Sequence, residues 1–207
     1  HVFPLLLLAS VGCTLQRVPI AKSADMDDHA AHMNAADLVD PAKTLKVSAS
    51  QGTPGLPPSA NSAAARLAAS PRHGEWVKFA VGQGTTDSVM AWIVYPSTRT
   101  KAPVVVVVHE IFGLQTWVRG VADQVAADGF IAIAPDFLTR VRGGPSTVEL
   151  SGDTARRMIS GVDAAERNRI IAAAASYAMT QASAEPRYAV IGYCWGGGTT
   201  FMHAVNG

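Results

Sequence analysis

Five consecutive valines, Val104 to Val108, constrain the fold of this chain more than any other feature. β-Branched residues favour extended backbone, and a strand without a polar residue on either face has to be covered on both faces. Strands of this kind are typical of parallel sheets that are packed between helices. The run therefore predicts a buried central strand, with Pro103 immediately before it.

The segments around the valine run alternate between strand and helix patterns. Predicted strands lie at 75–81, 89–95, 130–134 and 188–192, and a Gly-rich turn joins the first two into a hairpin. Predicted helices lie at 118–126, after Asp163, and at 199–205. Gly129 suits a helix C-terminus, and Asp163 stands at capping-box spacing from Glu166. The order predicts an α/β fold, a mostly parallel sheet flanked by helices.

Composition divides the chain into three parts and excludes some classes of partner. We predict a signal remnant at 1–13, a flexible Ala/Ser/Pro-rich linker at 14–73 and a folded α/β domain at 74–207. The chain is 48% hydrophobic and 16% charged, which is typical of a globular protein. The net charge of +1 gives no broad basic surface, so we expect no nucleic-acid partner.

The first residues predict export. The apolar run at 3–11 is too short to span a bilayer, which takes about 20 residues. Because the chain begins with His1, we interpret the run as the end of a secretory signal whose basic start is missing. Ser10 to Cys13 resembles a lipoprotein cleavage box, so we expect a periplasmic or membrane-anchored protein, with a tether through lipidated Cys13. The alternative is an apolar stretch without meaning and a cytoplasmic protein.

The linker contains one group of candidate metal ligands. His29 and His32 are three residues apart and could share a helix face. Nothing around them in the sequence would hold the geometry of a metal site, so a solvated polar linker is the favoured interpretation. We therefore predict neither a metal site nor a cofactor for this chain.

The pattern with the most chemical content is Gly192-Tyr193-Cys194-Trp195-Gly196. It is a G-x-C-x-G sequence between a predicted strand and a predicted helix, which is the arrangement of a nucleophile elbow with Cys in place of Ser. The tight turn requires Gly192 and Gly196 for close backbone approach. The helix that follows directs its N-terminal amides towards the sulfur and favours the thiolate. The sequence predicts Cys194 as a nucleophile, against the alternative of a buried structural cysteine.

A second pattern, His109-Glu110-Ile111-Phe112-Gly113-Leu114, follows the valine strand directly. The loop after this strand supplies one oxyanion-hole amide in enzymes with a nucleophile elbow, and the residue after the nucleophile supplies the other. Glu110 stands at the end of a buried strand, where a charge is costly unless it has a partner. We therefore expect a functional carboxylate at Glu110, against the alternative of a solvated loop glutamate.

Together these residues resemble the dienelactone hydrolase family of carboxymethylenebutenolidases. The resemblance covers residues 75–207 and includes Ala134-Pro135-Asp136 after the intervening strand. It implies an α/β-hydrolase fold and hydrolysis of a small-molecule ester or lactone through a thiol ester. It implies Cys194 as nucleophile, Glu110 as the carboxylate that activates the thiol, and the amides of Ile111 and Trp195 as the oxyanion hole.

The sequence departs from the family pattern in two respects. The triad Asp and His of the family follow later strands, whereas this sequence ends at Gly207, so we expect a fragment that is itself inactive. His203 lies within the predicted helix and should point away from the sulfur. Arg156 and Arg157 lie where the family binds the substrate carboxylate, but no matching Tyr is found.

Two other functions are compatible with the sequence. One is a non-catalytic binding module, with or without a lipid anchor, that has kept the elbow as a relic. The other is a redox-active thiol, which is disfavoured because Cys194 has no resolving cysteine near it. The presence of Glu110 beside an intact elbow favours the hydrolase.

Overall fold

The computed structural model describes residues 53, 55–82, 84, 86–146 and 152–206. The strands are β1 (Gly74–Ala80), β2 (Ser88–Val94), β3 (Ala102–Val108), β4 (Ile131–Pro135) and β5 (Ala184–Gly192). The helices are α1 (Ala63–Ala68), α2 (Thr116–Ala127), α3 (Thr139–Arg142), α4 (Gly152–Ser160), α5 (Ala164–Met179) and α6 (Trp195–Asn206). The predicted signal remnant with Cys13, the candidate ligands His29 and His32, and the first part of the predicted linker lie outside the described residues.

The strands form one sheet in the order β1-β2-β4-β3-β5. β3 is parallel to both β4 and β5, whereas β2 is antiparallel to β1 and to β4. The predicted α/β fold class is confirmed, and so is the hairpin. The described part of the sheet is mixed and not mostly parallel as predicted: two of its four pairings are antiparallel, because the hairpin joins the parallel strands in the antiparallel sense.

The valine strand lies between two apolar layers, as the sequence predicts. Val104, Val106 and Val108 pack in the layer that contains α5. Val105 and Val107 pack in the layer that contains α2. Each fully buried valine side chain contributes roughly 1.5–3 kcal/mol of transfer free energy. The run is therefore the centre of the domain, and it fixes β3 between β4 and β5.

The helices that follow β3 and β5 lie on opposite faces of the sheet. The helix after β3 is α2, which covers one face, whereas the helix after β5 is α6, which packs beside α5 on the other face. Neighbouring parallel strands whose helices go to opposite faces open a crevice at their carboxyl ends. The two candidate segments, 109–114 and 192–196, both begin at this crevice. Within the described residues, no helix has the length and apolar character needed to cross a membrane.

Several elements differ from the predicted ones. β5 begins four residues earlier than predicted and includes Pro186, which is tolerated because β5 forms an edge of the described sheet. α6 begins at Trp195 instead of Thr199. The glycines of its first turn weaken helix propensity, but Gly196 is required there by close packing against the end of β3. The short helices α3 and α4 were not predicted.

One of the two hydrogen bonds of the predicted capping box at the start of α5 is confirmed. The side chain of Asp163 accepts the N–H of Glu166 at 2.7 Å. The carboxylate of Glu166 does not return the bond to the backbone but pairs with Arg140 at 2.5 Å. The capping residue thus starts α5, while its partner ties α5 to α3.

The prediction that a flexible linker extends to residue 73 is wrong for residues 55–73, which we name the N-terminal strap. The strap contains α1 and packs against α2, with Pro58 and Ala63 buried. Its few apolar residues lack a long periodic pattern, so the sequence gives no sign of this packing. Polar bonds also attach it to α2. Asp123 of α2 accepts hydrogen bonds from Ser70 and, through both oxygens, from Arg72.

We expect Asp123→Asn to lower the free energy of unfolding by about 2–3 kcal/mol, because it leaves Arg72 with a weaker, uncharged partner in a largely buried contact. Urea denaturation measures the loss, and tryptic cleavage within the strap should accelerate. Glu185→Gln, which removes the charged partner of exposed Arg187, is the control and should cost less than about 1 kcal/mol. Equal effects of the two variants would contradict the assigned anchor.

Candidate active site

Cys194 and Glu110 follow neighbouring strands at the same level of the sheet. Val108 of β3 is in register with Gly192 of β5. Glu110 and Cys194 each stand two residues beyond that pair, and adjacent strands are about 4.8 Å apart. The structure therefore brings both predicted residues to one edge of the sheet, at the crevice between β3 and β5.

The backbone of Cys194 is the strained point of the site. Its φ is +54°, and among the described residues it alone has a positive φ without being glycine. This conformation costs an L-residue roughly 1–2 kcal/mol, so the surrounding structure has to hold it. The side chain is exposed and reduced. An exposed thiol on a strained turn between strand and helix is the geometry of a nucleophile elbow.

The two elbow glycines are required by close backbone contacts. A Cβ added to Gly192 would overlap the carbonyl group of Gly196. A Cβ added to Gly196 would overlap the carbonyl oxygens of Val108 and His109 at the end of β3. The predicted need for glycine at both positions is therefore met by the geometry, which packs the start of α6 directly onto the end of β3.

The first turn of α6 lies immediately after Cys194. The carbonyl oxygen of Cys194 accepts the N–H groups of Gly197 and Gly198, at 3.0 and 3.3 Å. In the described part of the chain, the N–H of Trp195 donates no hydrogen bond to another residue. A helix N-terminus leaves such N–H groups available and carries a partial positive charge. The turn can thus accept an anionic oxygen beside the sulfur.

Glu110 is half-buried and is held by the backbone of its own loop. Its carboxylate accepts the N–H of Phe112 at 2.8 Å. Burial raises the pKa of Glu110, and the backbone N–H groups of Phe112 and Ile111 oppose that rise by stabilising the charged form. The amide of Ile111, predicted as an oxyanion-hole donor, thus belongs to the same loop backbone that stabilises the charged carboxylate.

His109 connects three segments of the site and is a residue that sequence reasoning missed. Its Nδ1–H donates to the carbonyl oxygen of Glu110 at 2.5 Å, and its Nε2 accepts the N–H of Phe137 at 3.1 Å. Its ring also stacks on Trp195, with centroids 5.9 Å apart. A polar residue directly after a buried strand needs hydrogen-bond partners, so the position of His109 after the valine run was the sign in the sequence that it connects segments. His109 thus fixes the Glu110 loop to both the β4 loop and the elbow.

The hydrogen bonds of His109 define its protonation state. Both ring nitrogens are satisfied in the neutral form, with the proton on Nδ1, and a second proton on Nε2 would face the N–H of Phe137. Complete burial lowers the pKa of His109, although Asp136, 3.8 Å away, acts in the opposite direction. The imidazole is therefore a neutral structural group at the site.

Asp136, part of the third predicted motif, organises the loop after β4. It is fully buried and accepts hydrogen bonds from the N–H of Leu138 and from the N–H and hydroxyl of Ser146. These bonds close a loop that places Phe137 against His109 and Trp195. The motif therefore supports the site by holding Phe137 against His109 and Trp195.

Aromatic side chains hold the elbow from both faces of the sheet. Tyr193 packs edge-on against Trp117 of α2, with centroids 5.0 Å apart. On the opposite face, Trp195 lies between His109 and the guanidinium of Arg167, which is 5.2 Å from its ring. The two neighbours of Cys194 are thus fixed independently, by contacts between residues that lie far apart along the chain.

His203 is engaged away from the sulfur, as expected. Its Nε2 lies 3.1 Å from the hydroxyl of Tyr188, and its Nδ1 lies 3.3 Å from the side-chain oxygen of Asn168. Nine residues of helix separate it from Cys194, a rise of about 13 Å. Arg156 and Arg157 are exposed on α4. Across the described ranges, no group of three or more His, Cys, Asp or Glu residues is placed to hold a metal ion.

Comparison with known proteins identifies similar sequences and folds. The model of the dienelactone hydrolase family matches residues 89–207. A Synechocystis protein provisionally named carboxymethylenebutenolidase is 29% identical over 123 residues, which are 56% of this chain and 48% of that protein. The carboxymethylenebutenolidase of Pseudomonas putida is 28% identical over 112 residues, 53% of this chain and 48% of that protein.

A solved structure shares the fold. The dienelactone hydrolase-like promiscuous phosphotriesterase from metagenomic libraries superposes with a TM-score of 0.55 at 26% sequence identity, covering 64% of this chain and 54% of that chain. The present chain spans about half the length of the curated relatives that it matches.

The neutral state of His109 predicts how stability depends on pH. Since its pKa is lowered on folding, the unfolded chain binds the proton more readily, and stability is lost as pH falls below the ordinary value of 6.5. In His109→Gln, the slope of unfolding free energy against pH should be shallower by up to about 1.4 kcal/mol per pH unit.

Urea denaturation at a series of pH values measures this slope. The control is His73→Gln, which replaces an exposed histidine and should retain the slope of the parent. Burial also lowers the pKa of His203, so some slope should persist in His109→Gln. Identical slopes in the parent and His109→Gln would contradict the assignment.

Proposed function

Because the chain belongs to the dienelactone hydrolase family, we propose that it carries the nucleophile of a cysteine-dependent hydrolase that cleaves an ester or lactone through a thiol ester. The observation that carries this proposal is the exposed thiol of Cys194 on a positive-φ turn at the N-terminus of α6. A buried structural cysteine would need neither exposure nor a strained backbone. The substrate class is a small-molecule ester or lactone, in keeping with the relatives named carboxymethylenebutenolidase.

The proposed reaction has two covalent steps. The sulfur of Cys194 attacks the acyl carbonyl carbon and a C–S bond forms, while the thiol proton passes to a base. The C–O bond to the leaving group then breaks, and the alcohol or enol oxygen takes up a proton. Water afterwards adds to the carbonyl carbon of the thiol ester and the C–S bond breaks, so that the carboxylic acid is released and a proton of the water restores the thiol.

Glu110 is the proposed base for the first step. Glu110 follows β3, which is the neighbour of β5, and Cys194 follows β5. Burial raises the pKa of Glu110, so that its carboxylate accepts a proton more readily. In the structure, its carboxylate is occupied by the N–H of Phe112. Activation therefore requires the carboxylate to turn from its loop towards the sulfur, and a bound substrate is the proposed cause.

The oxyanion hole is proposed to consist of the N–H groups of Trp195 and Ile111. The Trp195 donor is available as the structure stands. The N–H of Ile111 stabilises the charged form of Glu110, so we propose that the rotation which brings the base to the thiol also frees this amide for the substrate oxygen. One such donor is worth about 3 kcal/mol in the transition state. Movement of one side chain would thus complete both parts of the site.

The role of Cys194 is tested by trapping the acyl group. Brief exposure to p-nitrophenyl acetate should release nitrophenol and leave an acetyl group on the peptide that contains Cys194, as measured by mass spectrometry. Cys194→Ala should lower the initial release by about 10³-fold. Cys13→Ser is the matched control, since it removes the other cysteine, and its release should equal that of the parent.

Acetylation that is equal at Cys13, at Cys194 and at lysines would contradict the proposal. It would favour the alternative of a binding module that has kept the elbow without its chemistry.

The role of Glu110 is tested by Glu110→Gln, which keeps the shape and the acceptor for Phe112 but removes the base. Acetylation of Cys194 should slow by about 10²-fold, with little change in melting temperature. Glu75→Gln is the control, because Glu75 is an exposed glutamate on β1, at the opposite edge of the sheet from β5. A fully reactive Glu110→Gln would show that the carboxylate has no such role, and a variant that does not fold would show that Glu110 serves the fold instead.

A further inference from the structure

We propose that the N-terminal strap is a positioning element for Cys194, and that it acts through Trp117 and Tyr193. The inference rests on the proposed function of Cys194 as a nucleophile. The strap lies outside the region that the family model matches, which starts at residue 89. It is therefore a part of this chain whose role the family resemblance does not supply.

The first contact joins the strap to α2. The indole N–H of Trp117 donates to the carbonyl oxygen of Pro58 at 2.9 Å. One turn further along α2 stands Gly120, where an added Cβ would lie 2.6 Å from Cγ of Pro58. The absence of a side chain at Gly120 is thus what allows buried Pro58 to sit against the helix. Trp117 and Gly120 share one helix face by their spacing.

The second contact joins α2 to the elbow. The ring of Trp117 packs edge-on against the ring of Tyr193, the residue before Cys194. Tyr193 is also tied to β3 through its N–H, which donates to the carbonyl oxygen of Val108 at 3.2 Å. A continuous chain of packed groups therefore runs from Pro58 through Trp117 and Tyr193 to the positive-φ residue.

The rest of the strap is anchored along the same helix. Arg66 donates to the side chain of Gln124 at 2.9 Å and to the carbonyl oxygen of Leu56 at 2.7 Å, and Arg72 pairs with Asp123. These bonds fix the strap on both sides of Pro58. The carbonyl that receives the Trp117 N–H is therefore held in place by contacts that do not involve the elbow.

The strained backbone of Cys194 makes this chain of contacts consequential. A positive φ at a residue other than glycine persists only where neighbouring contacts determine it. His109 and Arg167 restrain Trp195 on one face, whereas Trp117 restrains Tyr193 on the other. Release of the strap removes the acceptor of the Trp117 indole N–H and weakens the restraint that Trp117 places on Tyr193. The sulfur of Cys194 should then occupy more than one position.

The test compares alkylation of Cys194 by iodoacetamide across a pH series, in a Cys13→Ser background where Cys194 is the sole cysteine. Gly120→Ala displaces Pro58 without touching Trp117, Tyr193 or Cys194, and alanine is otherwise the better helix residue. Its control is Gly144→Ala, where an added Cβ meets open space. Tryptic cleavage after Arg66 reports release of the strap, and thermal melting reports the fold.

A second variant keeps the inference testable if Gly120→Ala does not fold. Trp117→Phe keeps an aromatic ring near Tyr193 but removes the N–H donated to Pro58. Its control is Trp92→Phe, which removes an indole N–H that makes no hydrogen bond within the described part of the protein.

We expect Gly120→Ala and Trp117→Phe to accelerate cleavage of the strap and to change the alkylation rate of Cys194 by about 2- to 30-fold. The pH profile should shift as well, a change that loss of stability alone would not cause, and both controls should match the parent. Accelerated cleavage with an unchanged alkylation profile, or unchanged cleavage, would overturn the inference. A parent whose Cys194 resists iodoacetamide at every pH would instead contradict the proposed function.

Discussion

The positive φ of Cys194 is the constraint on which the candidate site depends. It turns the chain sharply between β5 and α6, so the thiol is exposed while the helix N-terminus follows directly. The turn closes only because Gly192 and Gly196 allow backbone to meet backbone. A conformation that costs roughly 1–2 kcal/mol is retained because close packing of the elbow against the end of β3 leaves it little alternative.

The remaining structure restrains the residues on either side of that turn. Buried β3 supplies the surface on which α6 begins, and its next residue, His109, stacks on Trp195. The loop closed by Asp136 supports His109 through Phe137. On the other face, Trp117 supports Tyr193. Core, loops and aromatic contacts thus converge on one residue, and the proposed chemistry uses the group that they hold.

The sequence predicted the parts of this arrangement that follow from local pattern. The valine run required a buried strand, and the G-x-C-x-G sequence required a tight turn between strand and helix. It did not reveal the packing of the strap, whose polar anchors join positions about 50 residues apart, such as Arg72 and Asp123. Nor did it reveal His109 as a connector, since its partners come from a separate loop. Export and lipidation of Cys13 stay predictions.

The crystal structure of the chain after reaction with an activated ester tests the central claim most directly. The account predicts an acyl group bonded to the sulfur of Cys194, with its carbonyl oxygen about 2.7–3.1 Å from the N–H of Trp195. It also predicts that the carboxylate of Glu110 has left the N–H of Phe112. An acyl oxygen that points into solvent, with Glu110 unmoved, or an acyl group on another residue would contradict the account.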